Sequence, residues 1–363
     1  MQQVAFDSKL SYTPKTYPMN QFLSYLKETA PQIDHQIDLF LTQSLQEIEK
    51  ISPNLGEFIQ IFKEASEGGK RLRGSLVKLG YELFGGDNKA EILKVSVATE
   101  IFQTAILAHD DIIDQSLTRR GKPTIYKRLG GDHYGISQTI ALADAAFFLA
   151  NKLIAESEFD EGKKNSALKV FNSMMLKTCL GEILDVEIPH KKKVIKIDDV
   201  MIISQFKTAW YTIIGPLSMG AILAGIDEDK LAAIEEFGKN LGTAFQIQDD
   251  ILGVFGDEEK IGKSASSDIE EGKATLLIYY ALNFANKEQK RYLDKFYGKK
   301  GLTDKQIQEI RQIFINTGSL DFSTKKCIKY CGVAKKIIPE IINEKDKMGF
   351  LIDMSQFLIE RKN

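Results

Sequence analysis

The sequence predicts an all-α fold, a single-domain bundle of ten or more helices around a deep central cavity. Apolar residues recur every three or four positions along most of the 363-residue chain, and strand-like alternation bounded by turn residues is scarce. Four of the eight prolines fall within the first 53 residues. No shift in composition marks a domain boundary, so we expect an irregular arm over residues 1–20 and one helical domain over residues 21–363.

The clearest helical periods surround two acidic segments. Residues spaced i, i+3, i+4 and i+7 form one apolar face on a helix that ends near residue 114 and on a second helix near residue 250. The residues of these faces are Ala98, Ile101, Phe102 and Ala105, then Ala244, Ile247, Ile251, Val254 and Phe255. Long helices also fit residues 165–188 and 199–224, and glycine-rich segments predict loops at 85–88 and 130–132.

Composition excludes several classes of function. The net charge of −2 and the pI of about 6.2 offer no basic surface for a nucleic acid. Cys179, Cys327 and Cys331 have neither disulfide-framework nor zinc-site spacing, which indicates free thiols in a reducing compartment. The N-terminus lacks a signal pattern, and no run of about 18 apolar residues appears. We therefore expect a cytoplasmic protein with no integral membrane segment.

Two aspartate-rich clusters lie within these apolar helical stretches. The first is Asp-Asp-Ile-Ile-Asp at residues 110–114, and the second is Asp-Asp-Ile-Leu-Gly at residues 249–253. Helical spacing places Asp110, Asp111 and Asp114 on one face, although carboxylates repel one another and are rarely buried. A solvated acidic helix end explains one cluster alone, whereas two clusters indicate bound cations. Magnesium shares carboxylate oxygens with substrate phosphates, so we expect a site that binds a diphosphate through metal ions.

Basic residues form four further groups. They are residues 68–74 (Gly-Gly-Lys-Arg-Leu-Arg-Gly), residues 119–122 (Arg-Arg-Gly-Lys), Lys207-Thr208 in an apolar stretch, and Lys263 and Lys273, which flank Asp268, Glu270 and Glu271. Glycines let a backbone approach a ligand closely, and lysine and arginine neutralise phosphate. Each group alone fits a solvated charge run equally well, so only their combination favours a phosphate site.

Taken in order, these motifs resemble those of the trans-isoprenyl diphosphate synthases, the polyprenyl synthetase family. The matching segments are residues 69–73, Gln103, residues 110–114, 117–121, 207–208, 245–250, 262–263 and 271–273. The match spans roughly residues 65–280. The resemblance implies an isoprenoid-synthase fold and a homodimer packed through helices. It also implies an enzyme that condenses isopentenyl diphosphate with an allylic diphosphate by Mg²⁺-assisted ionisation, condensation and elimination.

The resemblance also implies roles for individual residues. Asp110, Asp111 and Asp114 would hold two Mg²⁺ ions on the allylic diphosphate, and Asp249, supported by Asp250, would hold a third. Arg119, Lys207 and Lys263 would bind the allylic diphosphate, and Lys70, Arg73, Gln103 and Arg120 would bind isopentenyl diphosphate. Lys273 would also bind substrate. Thr208 and Gln246 would direct oxygens toward the allylic cation. The leaving diphosphate is the hypothetical proton acceptor, because no strong general base is evident near the cation.

Three positions depart from the common family pattern. Gly253 stands where a fuller second cluster has a third aspartate, although Asp257 lies one turn further on. Glu182 stands where many members have glutamine, and Gln103 where many have histidine. Glutamine still donates to a phosphate oxygen but stays neutral at every pH. These departures therefore leave open how magnesium binds at the second cluster.

Product length is predicted from the residues that precede the first cluster. Ala105 lies roughly 7 Å below the diphosphate site and Phe102 roughly 12 Å below it, at 1.5 Å of rise per residue. A methyl group at Ala105, beside Ile106, leaves the pocket open, and Phe102 with Phe147 and Phe148 would close its floor. We expect the twenty-carbon product, geranylgeranyl diphosphate, with twenty-five or thirty carbons as the second choice. The alternative is that Phe102 only packs in the core and another residue sets the floor.

Two other functional classes remain open at this stage. A class I terpene cyclase also carries aspartate-rich metal motifs, but it has no need of the basic segment at residues 69–73 for a second diphosphate. A catalytically silent regulatory subunit is the other alternative, although such subunits usually lose carboxylates from the first cluster. Consumption of isopentenyl diphosphate distinguishes a synthase from both.

Overall fold

A computed structural model describes residues 21–191, 195–256 and 266–360. The first helices are α1 (Gln21–Glu49), α2 (Gly56–Ala65), α3 (Leu72–Leu83), α4 (Lys89–Ile113), α5 (Ile125–Arg128), α6 (His133–Ala155), α7 (Glu161–His190) and α8 (Ile197–Ile203). A π-helical segment (Ser204–Ile214) leads into α9 (Gly215–Ala224), α10 (Glu228–Phe255), α11 (Ser267–Glu271), α12 (Leu276–Phe284), α13 (Lys287–Phe296), α14 (Asp304–Asn316), α15 (Ser319–Ile341) and α16 (Lys345–Ile359). The predicted all-α class with more than ten helices is confirmed. The predicted arm over residues 1–20, Asp257 and Lys263 lie outside the described residues.

A small hairpin interrupts the helices after the first acidic cluster. Its strands, β1 (Thr118–Arg119) and β2 (Lys122–Pro123), pair antiparallel and join α4 to α5. Arg120 and Gly121 form the turn with φ angles of +53° and +74°, the left-handed pair that a two-residue hairpin requires. The hairpin therefore holds Arg119 and Arg120 close to the end of α4.

Both acidic clusters lie at the C-terminal ends of their helices. The Asn88 side chain accepts a hydrogen bond from Glu91 N (3.2 Å) and starts α4, whose last turn then carries residues 110–113, with Asp114 as the C-cap. Residues 249–253 lie in the last two turns of α10. The C-terminal end of a helix carries partial negative charge, which disfavours carboxylates there. The placement of both clusters therefore destabilises the folded protein electrostatically unless cations lie nearby.

The predicted helix over residues 199–224 is divided into three parts. α8 and α9 are α-helical, but Ser204–Ile214 forms i→i+5 bonds, as shown at its end by Gly215 N, which donates to Trp210 O. π-helical segments are rare and occur mostly at functional sites. Lys207 and Thr208 lie in this segment, so the irregularity falls on two predicted site residues. The helix predicted over 165–188 is confirmed as α7.

The π-helical segment is packed between α7 and α10, while α4 packs along α3 and α6 and α10 packs along α15. Gly181 of α7 makes one of these close approaches possible. A Cβ atom at Gly181 would lie 2.7 Å from Lys207 Cα, so a larger residue would push α7 away from Lys207. This packing brings side chains of α7, α10 and the π-helical segment together at the end where α4 stops.

Among the described helices, α6 alone is long and apolar enough to cross a membrane by length and composition. Its most apolar 18-residue window has a mean hydropathy of 1.2, and a single helix of this kind is weak support for a span. α6 packs along α4 and α7, and its apolar residues include both buried alanines and the exposed Phe148.

Candidate active site

Arg119 of the hairpin binds the first acidic cluster. Its Nη2 atom lies 3.0 Å from Asp110 Oδ2 and 2.7 Å from Asp111 Oδ1, and its Nε donates to Asp111 at 2.9 Å. Asp111 is 4% exposed. The sequence predicts all three carboxylates as metal ligands, but in this structure the Asp111 side chain holds Arg119, a role that the sequence analysis did not anticipate.

Lys207 lies among three carboxylates from two other helices. Its ammonium is 2.7 Å from Glu182, 2.7 Å from Asp185 and 3.6 Å from Asp110. Burial lowers the pKa of Lys207, but the three carboxylates more than offset it, so the pKa stays above its usual value. Glu182 and Asp185 are i, i+3 on α7 and therefore reach Lys207 from the same face. Lys207 remains charged and links α7 to the first cluster.

Asp114 carries the clearest sign of crowded negative charge. Burial, followed by the charge of Asp110, raises the pKa of Asp114 to about 7, while Lys273 and Lys207 act to lower it. Lys273 also acts to lower the pKa of Asp250, so carboxylates of both acidic clusters interact with this lysine.

Lys273 is the cation beside the second cluster. Its ammonium lies 2.9 Å from Asp268 Oδ1 and 3.1 Å from Glu271 Oε2. Burial lowers the pKa of Lys273, but Asp268, Glu271, Asp185 and Asp114 raise it well above its usual value. The carboxylates that act on Lys273 therefore come from three different elements, namely the end of α4, α7 and α11.

Thr208, Gln246 and Asp250 form a hydrogen-bonded chain across the π-helical segment and α10. The Thr208 hydroxyl donates to Gln246 Oε1, and Gln246 Nε2 donates to Asp250 Oδ1 at 2.6 Å. This chain fixes the orientation of the Gln246 amide, with its oxygen beside the Thr208 hydroxyl. The structure thus brings together two residues that the sequence predicts beside the allylic cation.

The carboxylates of this region outnumber its cations. The carboxylates are Asp110, Asp111, Asp114, Glu182, Asp185, Asp249, Asp250, Asp268 and Glu271, and the cations in the described ranges are Arg119, Lys207 and Lys273. An oxygen-rich donor set with excess negative charge suits a hard divalent cation. Over residues 21–191, 195–256 and 266–360, no three or more such side chains enclose a metal ion by themselves. A substrate diphosphate would supply the remaining oxygens, as is usual for Mg²⁺.

Arg73 and Gln103 also meet, beside the later part of the π-helical segment. Arg73 Nη1 donates to Gln103 Oε1 at 2.8 Å, and its Nη2 donates to Thr212 Oγ1 at 2.9 Å. The guanidinium carbon of Arg73 lies 4.0 Å from the centroid of the Tyr211 ring. A buried arginine with these fixed partners presents its charge in one direction.

Arg120 lies over the glycine-rich segment before α3. Its Nη1 donates to Glu67 O at 2.8 Å and to Gly68 O at 3.0 Å. Burial lowers the pKa of Arg120, and the charges of Arg71 and Arg73 lower it further, which places three arginines near one another. A cavity of about 580 Å³ lies here, lined by residues that include Gly69, Leu107, Arg119 and Arg120. Lys70 is exposed, 5.8 Å from the Phe357 ring of α16.

Backbone strain is concentrated around this cavity and the first cluster. Arg71, Gln115 and Arg120 have φ angles of +49°, +57° and +53°. Each such residue costs about 1–3 kcal/mol, and strain of this kind clusters at ligand-binding sites. Arg71 is held by Asp34, whose Oδ1 lies 2.5 Å from Arg71 Nε, and by Ser66 O, to which Nη2 donates at 2.6 Å.

An aromatic cluster lies below the first acidic cluster. Phe102 is 1% exposed, and its ring centroid is 5.5 Å from Phe147, 5.9 Å from Phe171 and 6.3 Å from Tyr211. Ala105 is fully buried, and Ile106 is half-buried. The sequence analysis did not associate Phe171 and Tyr211 with the floor, because their helices meet α4 only in the folded chain.

Phe148 requires a correction. Its side chain is 75% exposed, so it does not contribute to the floor within this chain. Adjacent residues on a helix point about 100° apart, so Phe148 faces outward when Phe147 faces Phe102.

The arrangement described above agrees with the comparison to known proteins. The model of the polyprenyl synthetase family matches residues 56–314. The chain belongs to this family. It is 30% identical to the short chain isoprenyl diphosphate synthase of Methanocaldococcus jannaschii over 81% of this chain and 86% of that protein. It is 27% identical to the geranylgeranyl diphosphate synthase of Sulfolobus acidocaldarius over 95% of this chain and 100% of that protein.

A solved polyprenyl synthetase relative has the same fold. The geranylgeranyl pyrophosphate synthase of Corynebacterium glutamicum, solved with isoprenyl diphosphate and magnesium, superposes with a TM-score of 0.86 at 25% identity, over 95% of this chain and 100% of that chain. The predicted family and all-α isoprenoid-synthase fold are thereby confirmed. Several features of this polyprenyl synthetase were not predicted from its sequence, namely the Asp111–Arg119 pairing, the Lys207–Glu182 pair and the position of Asp268.

Proposed function

We propose that this polyprenyl synthetase condenses isopentenyl diphosphate with an allylic diphosphate to make a trans-polyprenyl diphosphate. The observation that carries the proposal is the joint placement of the two acidic clusters. Asp114 of the first cluster and Asp250 of the second both interact with Lys273, and Asp110 and Asp114 also interact with Lys207, at the end of α4. A site with so much negative charge around fixed cations suits a diphosphate that arrives with divalent metal.

The allylic diphosphate would bind between Arg119, Lys207 and Lys273. Cleavage of its carbon–oxygen bond builds negative charge on the leaving group, and fixed positive charge there lowers the barrier selectively. Arg119 is held by Asp110 and Asp111, and Lys207 by Glu182 and Asp185, so neither cation has to reorganise during the step. Lys263, which lies outside the described residues, is proposed for the same diphosphate from the family pattern alone.

Magnesium would be held by Asp110 and Asp114 on α4 and by Asp249 and Asp250 on α10. We propose three ions per site, of which Asp249 holds the third. When bound, the ions neutralise the diphosphate and its developing charge. The divalent metal is supported by the oxygen-rich donor set and by the magnesium that the Corynebacterium glutamicum relative contains.

Thr208 and Gln246 would direct oxygens toward the allylic cation. The Gln246 amide is oriented by Asp250, which accepts from its Nε2, so its Oε1 is presented beside the Thr208 hydroxyl. The diphosphate that leaves the allylic carbon is then the proposed acceptor of the proton lost in the elimination. Positioning of the two substrates supplies most of the catalysis in this account.

Isopentenyl diphosphate would bind near Arg73, Gln103 and Arg120, with Lys70 at the rim. Arg73 donates to Gln103, and Arg120 lies over the backbone of the glycine-rich segment. The glycines of this segment let a ligand phosphate approach the backbone closely. Because both arginines are close to one another and partly desolvated, an anion between them relieves their repulsion. This region needs no metal ion.

We propose geranylgeranyl diphosphate, with twenty carbons, as the main product. Ala105 leaves the wall open below the diphosphate, and the rings of Phe102, Phe147 and Tyr211 meet one another further down. The proposal is also supported by relatives of that name. A twenty-five- or thirty-carbon product is the second choice, and it would require the rings to move apart.

We further propose a cytoplasmic homodimer that uses α6 and α7. Leu176, Leu180 and Ile183 recur at i, i+4 and i+7 as an exposed apolar row on α7, and Phe148 is exposed on the adjacent α6. An apolar face of this kind indicates a protein–protein contact. Light scattering of Ile183→Glu should show a monomer where the wild type is a dimer. Ile51→Glu, at another exposed isoleucine that is far from α7 in the chain, is the control and should leave the dimer intact.

The reaction is tested by mass spectrometry of the products. Purified protein is incubated with isopentenyl diphosphate, Mg²⁺ and, separately, dimethylallyl, geranyl and farnesyl diphosphates. A twenty-carbon diphosphate from each primer supports the proposal, and a fifteen-carbon stop overturns only the product length. Release of a hydrocarbon without consumption of isopentenyl diphosphate would identify a cyclase, and no turnover would indicate a silent subunit.

A further inference from the structure

The charge of the chain is distributed unevenly along its length. Residues 276–341, which form α12 to α15, contain 13 lysines and arginines against 6 aspartates and glutamates, a net charge of +7. The whole chain has a net charge of −2, so the remaining residues carry −9. An asymmetry of this kind is typical of a protein that binds an anionic surface. The overall charge therefore conceals a basic region built from four consecutive helices.

Three stacked aromatic rings lie at the surface of this basic region. Tyr280 and Phe284 are i, i+4 on α12, and their ring centroids are 4.3 Å apart. Tyr280 also stacks on Phe322 of α15, again with 4.3 Å between the centroids. We call these three residues the ring ladder. Its outer ring, Phe284, is 63% exposed, although packing within a chain usually buries a phenylalanine.

A row of lysines follows the ring ladder along α15. Phe322, Lys325, Lys326 and Lys329 are spaced i, i+3, i+4 and i+7, so they share one helix face, and Lys336 lies on the same face further along. The opposite face of α15 packs along α10. We call Lys325, Lys326, Lys329 and Lys336 the lysine row. The row is therefore on the outward face of α15 and begins at the ring ladder.

The ladder and the lysine row are in contact. Lys326 Nζ lies 5.5 Å from the centroid of the Phe322 ring. Lys325 pairs with Asp321 at 2.7 Å, and its pKa is raised by this hydrogen bond and further by the nearby Tyr280. At the other end of the ladder, Lys287 is exposed and follows Phe284 by three residues. Positive charge therefore borders the apolar rings on both sides.

Exposed isoleucines extend the apolar part of this surface. Ile328, 60% exposed, is i+3 from Lys325 on α15. Ile315, 49% exposed, precedes Gly318 by three residues, and a Cβ atom at Gly318 would lie 4.0 Å from the Tyr280 ring. Soluble proteins rarely expose large apolar side chains side by side, and such a patch indicates a binding surface.

The combination of apolar side chains with lysines favours a lipid surface over other anionic partners. A nucleic acid offers phosphates and base faces, but no apolar phase for isoleucine. A second copy of the chain would bring the same net charge of +7 to a symmetric contact, and like charges repel. A bilayer with anionic headgroups offers phosphates above an apolar interior, which matches both parts of the surface.

We propose that the ring ladder and the lysine row dock the protein reversibly on a bilayer that contains anionic phospholipid. Phe284 enters the boundary between headgroups and acyl chains, and the lysines contact lipid phosphates. Membrane binding by an exposed apolar group is stable when a polybasic patch assists it, which is the combination present on this face. The proposal goes beyond the prenyl-transfer reaction, because docking requires neither substrate nor metal.

The first test is co-sedimentation of the full-length protein with lipid vesicles. Vesicles of phosphatidylcholine alone are neutral, and vesicles of phosphatidylcholine and phosphatidylglycerol in equal amounts are anionic. The protein should pellet with the anionic vesicles, stay in solution with the neutral ones, and be released as the salt concentration rises. Absence of binding to the anionic vesicles, or equal binding to both, would overturn the proposal. Because the assay involves no turnover, neither result bears on the proposed reaction.

A double variant tests whether this surface is the one that docks. Phe284→Ser with Lys329→Gln should weaken binding to anionic vesicles about fiftyfold, with roughly tenfold from the ring and fivefold from the charge. Lys50→Gln with Ile51→Ser is the matched control, since it also removes an exposed lysine and an exposed apolar side chain. The control should bind as the wild type does, and an equal loss in both would overturn the proposal. Turnover of soluble substrates should be unchanged in both variants.

Phe284→Trp tests whether the outer ring enters the bilayer. Its added indole should shift the fluorescence emission to shorter wavelength when anionic vesicles are present. The native Trp210 is 6% exposed and gives a constant background. An unchanged spectrum in protein that has pelleted with the vesicles would contradict the docking geometry.

Two other occupants are distinguished with the same preparations. Tighter binding to a single-stranded RNA than to anionic vesicles would assign the surface to a nucleic acid. A lower molecular mass for Phe284→Ser than for the wild type in light scattering would assign it to a contact between copies of the chain. Either result would overturn the assignment to a lipid surface, whereas we expect weak RNA binding and an unchanged mass.

Discussion

The two acidic clusters are built differently. The first is contained in one helix end, where Asp110 and Asp114 are one turn apart and Asp111 holds Arg119. The second lies at the end of α10, where residue 253 is glycine and Asp268 of α11 packs into the space that it leaves. A site that is local in sequence is visible as a motif, whereas a site assembled from two segments is visible only after folding.

The electrostatic surroundings of the clusters differ in the same way. The first cluster is compensated by an arginine, a side chain that stays charged and holds a carboxylate with two donors. Beside the second cluster the cation is Lys273, a point charge that is paired with Asp268 and Glu271 and also acts on Asp250. We therefore expect the first cluster to tolerate substitution less than the second.

Asp110→Asn should have the largest effect. Asp110 contacts both Arg119 and Lys207, so the substitution weakens the ion pairs that hold these two cations and removes a charge from the proposed metal site. We expect kcat to fall by about 10²–10³-fold, as when one charge-stabilising group is removed from an active site. Asp249→Asn, measured by the same steady-state assay, should reduce kcat by a smaller factor. An equal or larger loss for Asp249→Asn would contradict the proposed asymmetry.

Asp111→Asn should have a smaller effect of a different kind. Because Asp111 orients Arg119, its loss should raise KM for the allylic diphosphate and reduce kcat/KM by about ten- to a hundredfold, as is found for residues that orient a ligand-binding group. The Mg²⁺ concentration for half-maximal rate should change little. A strong increase in that concentration would instead make Asp111 a metal ligand, as the motif alone predicts.

Ala105→Phe tests whether α4 also sets product length. The added ring would enter the pocket above Phe102 and should shorten the main product to fifteen carbons, at a stability cost of about 1–3 kcal/mol for overpacking. Ala244→Phe is the matched control, since Ala244 also stands five residues before its cluster and is fully buried. It should lower the melting temperature and leave the product unchanged. An unchanged product with Ala105→Phe would remove Ala105 from the pocket wall.

Glu182→Gln should have the smallest effect. Glutamine keeps a hydrogen bond to Lys207 but removes one of the three carboxylates around it. A change of about 1 kcal/mol corresponds to roughly fivefold in kcat, and the direction should be an increase, because more of the Lys207 charge is directed at the diphosphate. Glu187→Gln, at an ion pair with Lys191 on the same helix, controls for the lost charge and should have no effect. A decrease in kcat would show that Glu182 is needed to position Lys207.

The sequence was sufficient for the features that depend on spacing along one helix. The helical class and the acidic ends of α4 and α10 follow from local periodicity, whereas the hydrogen bond between Thr208 and Gln246 joins two elements and appears only in the folded chain. The π-helical bonding of Ser204–Ile214 was not predicted, because the sequence pattern fits one continuous helix over residues 199–224.

Side-chain direction and long-range contacts account for the remaining differences. Phe148 points outward because its neighbour Phe147 faces Phe102, and a sequence does not specify which of two adjacent aromatic residues faces inward. Asp268 lies 15 positions after Gly253, and only folding brings its carboxylate onto α10. Tyr211 reaches both Arg73 and Phe102, which ties the predicted isopentenyl site to the predicted floor.

The central claim is that both clusters serve one diphosphate, and the most direct test counts the metal ions bound with it. Equilibrium dialysis with Mn²⁺ and a non-cleavable allylic diphosphate analogue gives the number of ions per bound analogue. We predict three ions for the wild type, two for Asp249→Asn, and loss of analogue binding for Asp110→Asn with Asp114→Asn. Retention of one ion and full analogue affinity in that double variant would mean that the two clusters are independent sites, which would contradict the account.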